Sequence, residues 1–219
     1  METPRPHQQP PQSLRERKKD RTRRTLQAEA LRLFTAKGFA ATTVEEIAAA
    51  AEVAPRTFFR YFPTKEEVVF WADYQPTLAG FVAARPDQEP ALEALRHGIV
   101  DGLATFYDQD RERLLERIKL SFRTPALQPR LRQQQAGWAA GMAQILAHRL
   151  GVRPDDLEVR ALAAAVAAAL FVAIEDWQAH DGQGDLGALI DRALGSVLAG
   201  PLQATATQSS PAPGTKESA

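Results

Sequence analysis

Between Gly38 and Glu67 this chain carries helix boundaries so closely spaced that only short helices fit between them. Thr43-Val44-Glu45-Glu46 has the order of a capping box: the threonine hydroxyl accepts from the backbone three residues on, and the glutamate reaches back. Pro55 suits a first helical turn, where its missing N–H has no partner to lose, and Pro63 cannot extend a helix. Thr64-Lys65-Glu66-Glu67 repeats the capping-box order. A short helix after Thr43, a turn at Ala51-Glu52-Val53-Ala54 and a second short helix from Pro55 follow from these signals.

Upstream, Leu26, Ala30, Leu33, Phe34 and Lys37 recur at three- and four-residue spacing, which predicts a longer helix from Asp20 to Lys37 closed by Gly38. Two short helices joined by a tight turn behind a longer one describe a helix-turn-helix. Downstream, a long fourth helix is expected to run from Lys65 through Val68, Trp71 and Tyr74 to Leu78, with a linker at Pro86 and Pro90. Longer helices are expected near 91–108, 110–123, 129–150, 155–180 and 185–199, and no strand pattern competes with them. The fold class is therefore all-α. It comprises a tail at 1–13, a helix-turn-helix module at 14–70, a helical bundle at 71–202 and a second tail at 203–219. Both tails lack the apolar content to fold and are expected to be disordered.

Cysteine is absent, which removes disulfides, thiolate zinc sites and thiol nucleophiles. The apolar run Ala161–Ile174 is short for a bilayer span, and METPRPHQQPPQS lacks the apolar core of a signal peptide. The expectation is a soluble, cytoplasmic protein with no membrane partner. Net charge is zero but unevenly placed: residues 1–75 hold 13 basic and 10 acidic side chains, residues 76–219 hold 14 and 17. Arg15, Arg17, Lys18, Lys19, Arg21, Arg23 and Arg24 crowd into ten positions. Such a cluster neutralises phosphates, or forms a solvated helix start.

In Pro55-Arg56-Thr57-Phe58-Phe59-Arg60-Tyr61-Phe62, helical geometry puts Phe58 and Phe62 on one face, directed at Ile47 and Phe34. Arg56, Phe59 and Arg60 share another face, directed outward. Arginine reads guanine O6 and N7 in the major groove, and an apolar ring packs on a thymine methyl. Thr57 and Tyr61 flank that face with hydroxyls that reach phosphates. The alternative is that Phe59 covers a small core and the arginines are solvated.

The segment ALRLFTAKGFAATTVEEIAAAAEVAPRTFFRYFPTKEEVV resembles the DNA-binding module of tetracycline-repressor (TetR) type regulators. The resemblance implies that Thr43 touches a phosphate, that Pro55, Arg56, Thr57 and Phe59 face base edges, and that Arg60, Tyr61 and Lys65 lie along the backbone. Arg24, in the basic entry, joins this DNA-binding set. Phe58 and Phe62 would be core. The sequence departs from the family pattern at four positions. Phe59 replaces the usual Tyr, Tyr61 a common His, Arg56 a frequent Gly, and Ala54 a frequent Ser that would cap the third helix. The RTFFRYFP form is similar to a subgroup with lipophilic effectors.

For the second half, the resemblance implies ligand binding and dimerisation, with a homodimer formed through the last two helices. The alanine-rich centre of helix 155–180 also suits close helix approach. An apolar pocket would draw on Trp71, Phe106, Trp138, Met142, Phe171 and Glu175, all of which also suit plain core packing. Asp176 and His180 stand four apart, as two metal ligands could, but His180 equally suits a helix C-terminus. No nucleophile motif, phosphate loop or HExxH is present, and no cofactor or metal is expected. The implied function is a ligand-responsive repressor that binds a palindromic double-stranded operator as a homodimer and is released by a small lipophilic effector. The alternatives are a helical protein-interaction module with a basic arm and a metal-dependent helical enzyme.

Overall fold

The computed structural model describes residues 14–71, 80–107 and 111–198, with side chains for all of these except 104–107 and 198. Four helices form the N-terminal unit: α1 Leu14–Lys37, α2 Val44–Ala50, α3 Pro55–Tyr61 and α4 Lys65–Phe70. Residues 80–83 are helical. The C-terminal bundle has α5 Ala91–Tyr107, α6 Arg111–Arg123, a 3-10 turn at Pro125–Leu127, α7 Gln128–Leu150, α8 Leu157–Ala179 and α9 Leu186–Leu198. No strand occurs among the described residues. The expected tails at 1–13 and 203–219 lie outside the described residues, as do Tyr74 and Leu78.

α1 begins at Leu14, six residues before the apolar stripe predicts. The added residues are Leu, Arg, Glu and Lys, strong helix formers that form no apolar stripe, so periodicity does not register them. Its buried face holds Leu26, Gln27, Ala30, Leu31 and Phe34. These pack with Ile47, Phe58, Phe62, Val68 and Leu127 into one small core.

α4 departs most from expectation. It stops at Phe70, and Trp71 turns out of the helix with ψ 127. The Trp71 carbonyl accepts instead from side chains, Gln27 Nε2 at 2.8 Å and Arg117 Nη1 at 3.0 Å. Only half of the second capping box forms. The Thr64 hydroxyl accepts from Glu67 N at 3.4 Å. The Glu67 carboxylate turns to Arg130 at the start of α7, at 2.9 and 3.2 Å.

In the bundle, α8 lies between α7 and α9, and α5 packs on α9 and α7. Leu95, Ile99, Leu146, Val166, Leu170, Trp177, Ile190 and Leu194 fill the centre. The 23-residue α8, which holds an 18-residue window of mean hydropathy 2.1, is long and apolar enough to cross a bilayer by length and composition, unlike the shorter Ala161–Ile174 run. Here one side of it is core and the other is exposed. The segment before α5 is clasped to the bundle. Arg149 donates to the carbonyls of Val82, Arg85, Pro86 and Glu89 at 2.5–3.5 Å. A Cβ on Gly98 would come within 2.6–2.9 Å of Val82 atoms, so only glycine admits this approach.

Candidate DNA interface and effector cavity

The capping box of α2 fixes the start of the helix-turn-helix. The Thr43 hydroxyl accepts from Glu46 N at 3.2 Å, and the Glu46 carboxylate accepts from Thr43 N at 2.8 Å. Glu46 also pairs with Lys37, whose ammonium holds that carboxyl below the usual range. The turn passes through Glu52 at φ 55, a left-handed conformation that costs a non-glycine residue about 1 kcal/mol or more. Pro55 opens α3 after Ala54, which makes no side-chain cap.

From this frame α3 divides as its sequence predicts. Phe58 and Phe62 are fully buried, while Arg56, Phe59 and Arg60 are exposed. The Phe59 ring is 52% exposed and stands edge-on to Phe58 at 5.6 Å, so it is anchored from behind and open in front. Pro55 and Thr43 are exposed and Thr57 is half-buried. The half-buried Tyr61 ring lies under the guanidiniums of Arg60, at 5.1 Å, and Arg23, at 5.8 Å. Arg23 therefore joins the face from α1, a role the basic cluster suggests only collectively. Arg24 is exposed beside it.

Lys65 sits differently from a simple surface cation. Its ammonium donates to the carbonyls of Phe39 and Thr42 at 2.8 and 2.9 Å and lies 4.3 Å from the Phe39 ring. It ties α4 to the loop between α1 and α2, which leaves one N–H for an outside acceptor.

A cavity of about 240 Å³ lies among α4, α5, α6, α7 and α8 and the first residue of α9. Trp138, Met142 and Phe171 line it, with the Trp138 and Phe171 rings 5.1 Å apart. Trp71 lies outside this lining: it packs edge-on against Phe62 at 6.3 Å, in the core of the N-terminal unit. Glu175 is exposed on the outer side of α8 and also lies outside the lining. Phe106 belongs to α5, and its side chain is outside the described residues. Sequence reasoning missed Val69 and Phe70 from α4, together with Arg117 and Gln134. Only the apolar pattern of α4 pointed inward, and that pattern does not separate core from cavity wall.

The two units meet at α4. Gln27 Nε2, buried on α1, donates at 2.8 Å to Val68 O as well as to Trp71 O. The Arg130 guanidinium forks onto Glu67 and lies 5.7 Å from the Phe70 ring. At the far end of α8, His180 Nδ1 is 2.8 Å from the Asp176 carbonyl, the position of a helix-end contact. No group of three or more potential ligands is placed to hold a metal among the described residues.

Comparison with known proteins agrees with this layout. Residues 26–70 match the family of bacterial regulatory proteins named for tetR, and residues 89–202, more than half of the chain, match the MftR C-terminal domain. The chain belongs to the TetR family. Over 151 residues it is 39% identical to the HTH-type transcriptional regulator TcmR of Streptomyces glaucescens. That match takes in 65% of this chain and 66% of TcmR, just under two thirds of the relative's length. It is 30% identical to MftR of Mycobacterium tuberculosis, over 68% of this chain and 75% of that protein. Among solved structures, the TetR-family repressor FadR of Thermus thermophilus, determined with lauroyl-CoA, superposes with a TM-score of 0.55 at 28% identity. That superposition covers 88% of this chain and 100% of FadR. TetR-family membership makes the chain a transcriptional regulator, with a DNA-binding unit in α1–α4 and a helical domain behind it.

Proposed function

We propose that this TetR-family chain is a repressor that binds a palindromic operator as a homodimer and is released by a small lipophilic effector. The observation that carries this reading is the position of α4: its first residue is bonded to the loop between α1 and α2 that leads into the helix-turn-helix, and Val69 and Phe70 near its end form part of the cavity wall. Occupancy of the cavity and placement of the reading helix are thus mechanically joined.

Arg56 and Phe59 read base edges in this proposal, with Pro55 and Thr57 at their margin. Arg60, Tyr61, Thr43 and Arg24, with the third N–H of Lys65, take phosphates. A two-fold operator needs a two-fold protein. The outer face of α8 supplies the surface: Ala161, Ala164, Ala168 and Val172 recur at three- and four-residue spacing and are all exposed, Val172 at 60%. With α9 beside it, this face suits a second copy of the same pair of helices. Apolar walls support a lipophilic effector, and the likeness to a repressor holding an acyl thioester points the same way. Such a protein works in the cytoplasm.

The test is sequencing of DNA selected by the purified protein, followed by anisotropy titration of the recovered site. An inverted repeat bound with two chains per site supports the reading. A single half-site bound by one chain sinks the homodimer.

A further inference from the structure

We propose that the N-terminal end of α1 is a phosphate rail, in which Arg23, Lys19 and Arg15 take the backbone of duplex DNA beyond the base pairs that α3 reaches. The inference rests on the DNA-facing placement of α3 and is independent of the effector.

The rail starts at a contact within the fold. The Arg23 guanidinium lies 5.8 Å from the centre of the Tyr61 ring, and the Arg60 guanidinium of α3 lies 5.1 Å from the same centre. One cation of α1 thus stands at the edge of the reading face. Lys19 and Arg15 follow at four-residue spacing, so they lie on the side of α1 that Arg23 occupies. At a rise of about 1.5 Å per residue, the stretch from Arg23 back to Arg15 covers about 12 Å. Each DNA strand carries a phosphate about every 3.4 Å of helix axis, so this length matches roughly three to four base-pair steps.

The fold itself gives these cations little to do. Residues 14–19 are all exposed, and the buried face of α1 begins only at Leu26. Arg23 meets the Asp20 carboxylate at 3.9 Å, a long ion pair. Among the described residues, no carboxylate pairs with Arg15, Arg17, Lys18, Lys19 or Arg21. Their placement also works against the helix. Arg15 and Arg17 stand in the first turn, at the positive end of the helix dipole, with Glu16 as the one acid there. Arg15, Lys19 and Arg23 are like charges at successive four-residue spacings, which weakens a helix further. A local conflict without an internal partner marks a functional surface, and a row of cations is complementary to a row of phosphates. Each residue of the rail also stands ahead of residue 26, where the match to the family begins.

Full-length protein on the site recovered by selection tests this, through hydroxyl-radical footprints and anisotropy titrations at several salt concentrations. Arg15→Gln combined with Lys19→Gln should leave the selected consensus unchanged. It should lose about three to four base pairs of protection next to the part that α3 covers, and flatten the log–log salt slope by about 1.8 per chain. Arg17→Gln combined with Arg21→Gln removes the same charge from the opposite side of α1 and should flatten the slope by about half as much or less. Neither pair should lower the melting temperature, because both relieve repulsion at the helix start. Coincident footprints with an unchanged slope overturn the rail. Equal flattening by the two pairs overturns it as well, leaving a diffuse basic field. If the parent protein selects no consensus, base reading by α3 fails instead, and the salt slopes of the two pairs on a random duplex decide the rail by themselves.

Discussion

The helix-turn-helix face and the cavity use the same residue classes, aromatic rings beside arginine, in opposite ways. On α3 the Phe59 ring is exposed, and Arg56 and Arg60 flank it outward. In the cavity wall Trp138 and Phe171 pack against one another, and Arg117 is turned onto a backbone carbonyl. The first arrangement presents chemistry to a long polymer that supplies its own charge. The second withholds chemistry until a small molecule fits. One face is set by the register of seven residues in one helix, the other by residues from six helices.

The largest expected effect separates the two regions. Phe58→Ala removes a fully buried ring from the small N-terminal core and should cost about 3–5 kcal/mol of stability, abolishing operator binding. Met142→Ala, at the cavity wall, should alter affinity for a lipophilic probe such as decanoate while operator binding without ligand persists, checked by paired anisotropy and calorimetry. Loss of operator binding in Met142→Ala would break the division between the regions. Lys65→Met should lower stability by about 1.5–3 kcal/mol in thermal unfolding, because two charge-assisted bonds to carbonyls are lost. A salt slope for DNA binding that flattens by about one ion per chain would add a phosphate contact to that role. Arg56→Ala should cost about 1–3 kcal/mol and relax preference at one position per half-site in selected DNA. An unchanged consensus removes Arg56 from base reading. Glu52→Gly should stabilise by about 1 kcal/mol in denaturant unfolding, since glycine occupies φ 55 without steric cost.

The smallest effect is a pH dependence at the clasp before α5. Hydrogen bonds from Arg85 and then His97 hold the Glu89 carboxyl down to about 2, against an ordinary value of about 4.3. A carboxyl depressed in the folded state adds stability above its unfolded pKa, and that stability is lost as pH falls from about 4.3 through about 2. Glu89→Gln should therefore lower the melting temperature slightly at neutral pH, leave it little changed near pH 2 and so flatten its dependence on pH across that window.

Legibility in the sequence follows the same division. Thr43, Pro55, Phe58 and Phe62 announce their positions because caps and helical register are local properties. The lengths of α7, α8 and α9 are equally local. What escaped depends on meetings between distant residues. Gln27 reads as polar and stands 44 residues from Trp71, yet it is buried against that carbonyl. Glu67 looks like the second half of a capping box until Arg130, 63 residues on, takes its carboxylate. Trp71 reads as a pocket aromatic because sequence gives residue type without direction.

At six residues, α4 is too short to persist as a helix by itself, since nucleation outweighs so few propagating bonds. Its order is borrowed from α1 through Gln27, from α6 through Arg117 and from α7 through Arg130. The protein therefore has no independent melting boundary at this point. Calorimetry should show one heat-absorption peak rather than two, and the amide protons of Val68 and Val69 should exchange with solvent at the rate of whichever neighbouring unit opens first.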